Sequence, residues 1–264
     1  MKIVGIGNSH AGMLHAASLR KKFSNVEFDW LVKPGNGFER IKVEGSRIFA
    51  ADEDMQSELI SMGICSEVEL SDYDAVIFAG QTVSALDISY IFRDYVVAGW
   101  VSSDIAGQIS GLNSEQWSKS QFITENALMD TLVSTIFQNF TYQAVVGAGR
   151  ACNTPLFVVP QPFLNQSVML PTATKFRVFR RISKFSCFPK LAECVRQAHE
   201  VAFSDLSNVT LLNQGEETIT NNFFTKNSFC RDSLRAITLE NRVNEDYLHA
   251  NADFGEIVLR RVLN

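Results

Sequence analysis

No stretch of this chain comes near the roughly 20 consecutive apolar residues that a membrane-spanning helix requires. The first apolar run starts at Ile3 behind a lone Lys2 and stops at Gly7 and Asn8, too short for the apolar core of a signal peptide. Both shortages point to a cytoplasmic protein with no membrane partner. Cysteine is sparse and scattered. Cys65, Cys152, Cys187, Cys194 and Cys230 are an odd, widely spaced set with no C-x-x-C pair, which argues against structural zinc and against a disulfide framework. Positive charge is short as well: 24 Lys and Arg against 29 Asp and Glu leave a net charge of −5. Without a basic stripe, nucleic acid is not an expected partner. The densest cationic stretch, Lys175-Phe176-Arg177-Val178-Phe179-Arg180-Arg181, reads as a solvated face. Gly-Lys-Ser/Thr is absent, which excludes a Walker A phosphate loop. With no internal repeat and no low-complexity linker, residues 1–264 read as one domain.

What is present is an ordinary globular balance, 46% hydrophobic and 20% charged, in a chain long enough to bury a full core without staples. Apolar runs of strand length recur at Lys2–Ile6, Val26–Val32, Ala75–Ala79, Leu156–Val159 and Val209–Leu212. The first, third and fourth are almost continuously apolar, as strands buried on both faces should be. Helical patterns separate them at His10–Lys22, Asp54–Met62, Ser84–Val97, Glu125–Phe140 and Pro189–Phe203. This alternation predicts an α/β fold with a parallel sheet of about five strands and helices on both faces. Ile41–Phe49 alternates around a Glu-Gly-Ser turn and predicts a small hairpin. Residues 81–154 carry more than one helix and are expected to hold a helical cap insertion.

The first turn, Val4-Gly5-Ile6-Gly7-Asn8-Ser9-His10-Ala11-Gly12, admits two readings. As a dinucleotide-binding loop it is incomplete: His10 occupies the place of the third glycine. The second strand also ends Leu31-Val32-Lys33-Pro34 rather than in an acid, with Asp29 inside it. A later glycine pattern, Val145-Val146-Gly147-Ala148-Gly149-Arg150, is not followed by a clear helix. As a serine turn the same residues have a use. A serine at the C-terminal end of the first strand stands where open α/β sheets place ligands, and free N–H groups at the next helix can hold an oxyanion. Gly7 is expected to allow the turn and Gly12 to let the helix pack closely. Asn8 either shapes the turn and meets substrate, or is a plain helix cap.

The C-terminal segment supplies partners for that serine. Asp246-Tyr247-Leu248-His249 stands just before a helical run whose apolar face is Phe254, Ile257, Val258 and Val262. A loop there can carry an acid and a base to the sheet's C-terminal edge, the pair a nucleophilic serine needs. Gly7-Asn8-Ser9 together with Asp246-x-x-His249 resembles the SGNH (GDSL-type) hydrolase superfamily. Residues 72–80, 157–162 and the C-terminal His249-Ala250-Asn251-Ala252-Asp253-Phe254-Gly255 are similar to bacterial SGNH-like proteins of unassigned substrate. The resemblance implies a flavodoxin-like three-layer α/β/α sandwich and a catalytic set of Ser9, Asp246 and His249. It also implies esterase chemistry with no metal or organic cofactor.

Two departures from the family pattern stand out. Asn8 replaces its aspartate, and the third block lacks its asparagine, ending Gly80-Gln81-Thr82-Val83 instead. Gln81 either supplies the missing donor, since its amide carries the same group on a longer arm, or caps the next helix. The second-block glycine is Gly37 or Gly35. The expected oxyanion hole is therefore the Ser9 amide with Gly37 and Gln81. Expected substrate contacts are Asn8, Gln161 between its two prolines, and His10, which points either into the pocket or to solvent. His15 and His199 read as surface or packing residues. The leading function is hydrolysis of an acyl ester, and the resemblance to the family implies O-acetyl groups on a small molecule or carbohydrate among its substrates. Acyl transfer to a hydroxyl, a non-catalytic ligand-binding role on the same scaffold, and a nucleotide-binding Rossmann enzyme are the alternatives.

Overall fold

The computed structural model describes residues 1–33, 38, 40–80, 82–100, 121–183, 187–233 and 247–264. Along these the strands are β1 (Lys2–Gly7), β2 (Glu27–Val32), β3 (Ile41–Glu44), β4 (Arg47–Ala50), β5 (Glu67–Glu69), β6 (Ala75–Ala79), β7 (Tyr95–Val97), β8 (Gln121–Ile123), β9 (Leu156–Val159), β10 (Val209–Leu211), β11 (Ile219–Thr220) and β12 (Phe224–Thr225). Five of them form one sheet in the order β10-β9-β6-β1-β2, and every pairing in it is parallel. This is the doubly wound order of a flavodoxin-like α/β sandwich, with the strand order reversing between β1 and β6. The small antiparallel sheet β3-β4-β5 contains the expected hairpin, turned at Gly45 with a φ of 62°.

Two-residue periodicity divides the core between the sheet's faces. On one face Ile3, Trp30, Ala75, Ile77 and Ala79 pack with Leu14 and Ala17 of the Gly12–Ser18 helix and with Phe254, Val258 and Leu259 of the Ala252–Leu263 helix. On the other, Val4, Ile6, Leu31, Val76, Phe78 and Val158 pack with the helices Ala85–Asp94, Glu125–Gln138, Phe140–Ala151 and Phe188–Phe203. Helices of the 81–154 segment thus join the larger core. Residues 101–120 of the expected cap lie outside the described residues. No helix among the described residues is long and apolar enough to cross a membrane.

Several element boundaries differ from expectation. The stretch after β1 is a 3₁₀ turn at Ser9–Ala11, the Gly12–Ser18 helix, and a second 3₁₀ turn at Lys21–Phe23. The helix expected to reach Val97 stops at Asp94, because Tyr95-Val96-Val97 pairs as β7 with β8. Aromatic and β-branched residues favour that extended form. The helix expected to include Phe140 breaks at Asn139, extended with φ −82° and ψ 148°, whose Nδ2 donates to the carbonyls of Thr135 and Thr82. The second glycine pattern lies inside the following helix rather than ahead of one. The cationic stretch is not simply solvated. Val178 and Phe179 are buried, and Arg180 donates to the carbonyls of Leu170 and Ala173 at 2.9 and 3.1 Å.

Gly7 and Gly255 are among the glycines that set close approaches. Gly7 does not make a turn: it ends β1 in register with Ala79, and a Cβ there would stand 2.3 Å from the Ala79 carbonyl oxygen. A tight helix contact is made at Gly255, where a Cβ would stand 2.0 Å from the carbonyl oxygen of Met13. That crossing locks the Gly12–Ser18 helix against the C-terminal helix, beside ion pairs from Arg20 to Asp253 and Glu256. Gly255→Ala is expected to destabilise the protein by about 1–3 kcal/mol, the usual cost of overpacking. Urea denaturation checks this, and a variant as stable as the parent would refute the contact.

His199 gives the core a pH dependence. It is 1% exposed, its Nδ1–H donates to the Val195 carbonyl at 2.7 Å, and burial pushes it down to about 4. A second proton would sit at Nε2, which has no acceptor among the described residues. An unfolded histidine takes its proton near pH ~6.5. Between there and about 4 only the unfolded chain binds it, so stability falls as pH drops through that window. The full loss is on the order of 3 kcal/mol. Comparing urea unfolding at pH 7.5 and 4.5 should show His199→Leu losing less stability on acidification than the parent. Equal losses would place the acid sensitivity elsewhere.

Candidate active site

Ser9 stands two residues beyond β1, at the point where the strand order reverses. Its turn is built by Asn8, whose Oδ1 accepts from the backbone N–H of His10 at 3.0 Å while its carbonyl accepts from Ala11 N–H. Asn8 is thus a local cap, and an aspartate at this position would offer the same acceptor. Beneath it lies Gly80, at the end of β6 with a φ of 74°; a Cβ there would stand 2.4 Å from Asn8 Oδ1 and 3.2 Å from His10 Cβ. The ends of β1 and β6 are therefore pressed together directly under the serine.

His249 arrives from the other end of the chain through a loop fixed on both sides. Before it, Asn165 N–H donates to the Tyr247 carbonyl at 3.0 Å. After it, Asn251 caps the C-terminal helix by accepting from Asp253 and Phe254 N–H, while its Nδ2 donates to the carbonyls of Ser228 and Arg231 at 2.8 and 2.9 Å. Each of the two helices locked at Gly255 has its site residue three positions ahead of its first residue: Ser9 before Gly12, His249 before Ala252. The outcome is a hydrogen bond of 2.8 Å between Ser9 Oγ and His249 Nε2. The imidazole is 5% exposed, and the His10 ring stacks on its face at 4.7 Å between centroids, 23° from parallel.

Ser9 and His10 border a crevice of roughly 650 Å³, whose lining also includes Asn8, Phe38, Asp87, Phe140, Gln143 and Gln161. Gln161 is thus where the sequence reading expects it, half-buried on the crevice wall. His10 is buried and turned toward His249 and the crevice rather than to solvent. Asp246, Gly35, Gly37 and Gln81 lie outside the described residues. Gln81 is not the cap of the next helix: that role belongs to Ser84, in a reciprocal capping box with Asp87. The described residues on either side of it accept hydrogen bonds: Thr141 Oγ1 donates to the Gly80 carbonyl and Asn139 Nδ2 donates to the Thr82 carbonyl, at 3.0 and 3.1 Å. Sequence reasoning singled out neither Thr141 nor Asn139 for the site. His15 is half-buried beside Trp30, where burial lowers its affinity for a proton.

A scan against protein-family models finds no match, and no curated protein matches the chain. Among solved structures the chain is similar to the UDP-GlcNAc 2-epimerase from Neisseria meningitidis bound to UDP-GlcNAc. That likeness has 12% identity, covers 82% of this chain and 73% of that one, and has a TM-score of 0.16. A likeness at this level carries no argument about fold or chemistry.

Proposed function

We propose that the protein is a serine hydrolase of carboxylic esters. The observation that carries this reading is the 2.8 Å contact of Ser9 Oγ with His249 Nε2, with Ser9 on the wall of a large crevice. Nucleophile and base within hydrogen-bond reach, at the carboxyl end of the switch-point strand, are what acyl transfer to a hydroxyl requires. Ser9 Oγ attacks the ester carbonyl as its proton passes to His249 Nε2. The tetrahedral intermediate then expels the alcohol, which takes that proton from the imidazolium. Water repeats the sequence on the acyl-serine and releases the acid. The Ser9 N–H, at the start of its turn, is the first candidate donor to the oxyanion, and Gly37 and Gln81 are the proposed others. Asp246 is the proposed acid behind His249. The resemblance to SGNH hydrolases supports the same reading, with O-acyl groups on a small molecule or carbohydrate as the proposed substrates and the cytoplasm as the proposed site.

A fluorophosphonate probe tests the nucleophile without knowledge of the natural substrate. Wild type should gain one adduct by intact-protein mass and lose turnover of 4-nitrophenyl acetate, whereas Ser9→Ala should do neither. A wild type that is neither labelled nor active would remove the hydrolase reading and leave ligand binding on this scaffold.

A further inference from the structure

We infer that His10 is a positioning residue: its ring forms the platform that holds His249 in line with Ser9. The proposal rests on the serine-hydrolase reading and adds a role which that reading does not need. An imidazole on a loop has two side-chain torsions, and hydrogen bonds at its ring nitrogens lie in the ring plane, so they fix its edges but leave the ring able to tilt about the line joining them. In this protein the face of His249 is covered by His10, nearly parallel at 4.7 Å between centroids. His10 is itself immobilised. It is 6% exposed, its backbone N–H is held by Asn8 Oδ1 at 3.0 Å, and its Cβ is seated over Gly80 so closely that even a methyl group there would intrude. The platform is thus built on the closely packed ends of β1 and β6, and the base rests on it. Because His10 immediately follows Ser9, nucleophile and platform share one turn, and a displacement of that turn carries both together.

A displacement of about 1 Å at a reacting group can cost on the order of 10²-fold in rate. Loss of the platform should therefore lower kcat rather than weaken substrate binding. On 4-nitrophenyl acetate, His10→Ala is expected to lower kcat by about 10- to 100-fold with KM within about twofold. His10→Phe, which restores a flat ring, should recover most of that loss, and His10→Leu, which fills the volume without a flat face, should not. His10→Leu also serves if His10→Ala fails to fold, which its thermal midpoint reveals. A raised KM with unchanged kcat in His10→Ala, or equal activity of the Phe and Leu variants, overturns the proposal in favour of substrate contact or simple space filling.

A second readout does not depend on activity. The imidazole C–H correlation of His249, identified by its loss in His249→Ala, should be single and shifted upfield by the stacked ring in wild type. In His10→Ala it should move downfield and broaden as the ring begins to pivot, while His10→Phe should keep it sharp. A His249 signal unchanged in position and width in His10→Ala overturns the proposal even if the protein hydrolyses esters. Failure of fluorophosphonate labelling would instead count against the hydrolase reading, leaving the platform to be judged on the spectrum.

Discussion

His249→Ala is expected to lower ester turnover by roughly 10⁴- to 10⁶-fold while the protein stays folded. Without the imidazole the Ser9 hydroxyl keeps its proton as it attacks, and the departing alcohol has no acid to protonate it. One residue serves both half-reactions, so neither acylation nor deacylation escapes the loss. The fold should survive because residues on both sides of position 249 hold the loop: Tyr247 through Asn165, and Asn251 through its side-chain cap and its two carbonyl contacts. Ser9→Ala should be equally inactive. The double variant should be no worse than either single one, since the two groups act as a unit and one loss already removes the path. The measurement is kcat/KM on 4-nitrophenyl acetate beside urea denaturation of each variant. Near-wild-type turnover by a folded His249→Ala protein would end this mechanism, and additive losses in the double variant would mean that the two side chains act separately.

The parts of the fold legible in the sequence were those governed by burial along a short stretch of chain. Ala75–Ala79 and Leu156–Val159 are apolar at nearly every position because helices cover both faces of the sheet, and their boundaries emerge from the structure as read. The breaks at Asp94 and Asn139 were not legible, because both depend on distant partners. Tyr95–Val97 is extended by pairing with Gln121–Ile123, and Asn139 leaves the helix while its amide reaches the Thr82 carbonyl. The role of Gly7 was misread for the same reason. Gly7 and Gly255 are required by a backbone carbonyl on a neighbouring element, which no local pattern announces, and Gly80 combines a positive φ with a close approach to the Asn8 side chain. In the site, the motif at each end of the chain identified Ser9 and His249, and the fold brings them within 2.8 Å. The stacking of His10 and the bracing by Asn251 and Thr141 emerge only once the helices are crossed. A signal did exist for Asn251, an N-cap residue ahead of an amphipathic run, but its second task of clamping the 228–231 turn did not follow from it.

The remaining large effect concerns Asp246, the proposed acid behind the base. A neutral imidazole can carry its proton on either nitrogen, and only the form with Nδ1–H leaves a lone pair on Nε2 for the Ser9 proton. A carboxylate at Nδ1 selects that form and stabilises the imidazolium that appears in each half-reaction. Asp246 is three residues ahead of His249 in the sequence, the Asp-x-x-His spacing on which its proposed role rests. Asp246→Asn keeps the shape and removes the charge, and its amide can donate to Nδ1 and trap the wrong tautomer. Turnover is therefore expected to fall on the order of 10⁴-fold, in kcat more than in KM, and to remain at or above that of His249→Ala. Ser9 labelling by the fluorophosphonate should slow in parallel, because it draws on the same base. If Asp246→Asn stays within about tenfold of wild type in both assays, Asp246 is not the orienting acid, whereas the Ser9–His249 pair stands or falls on its own variants.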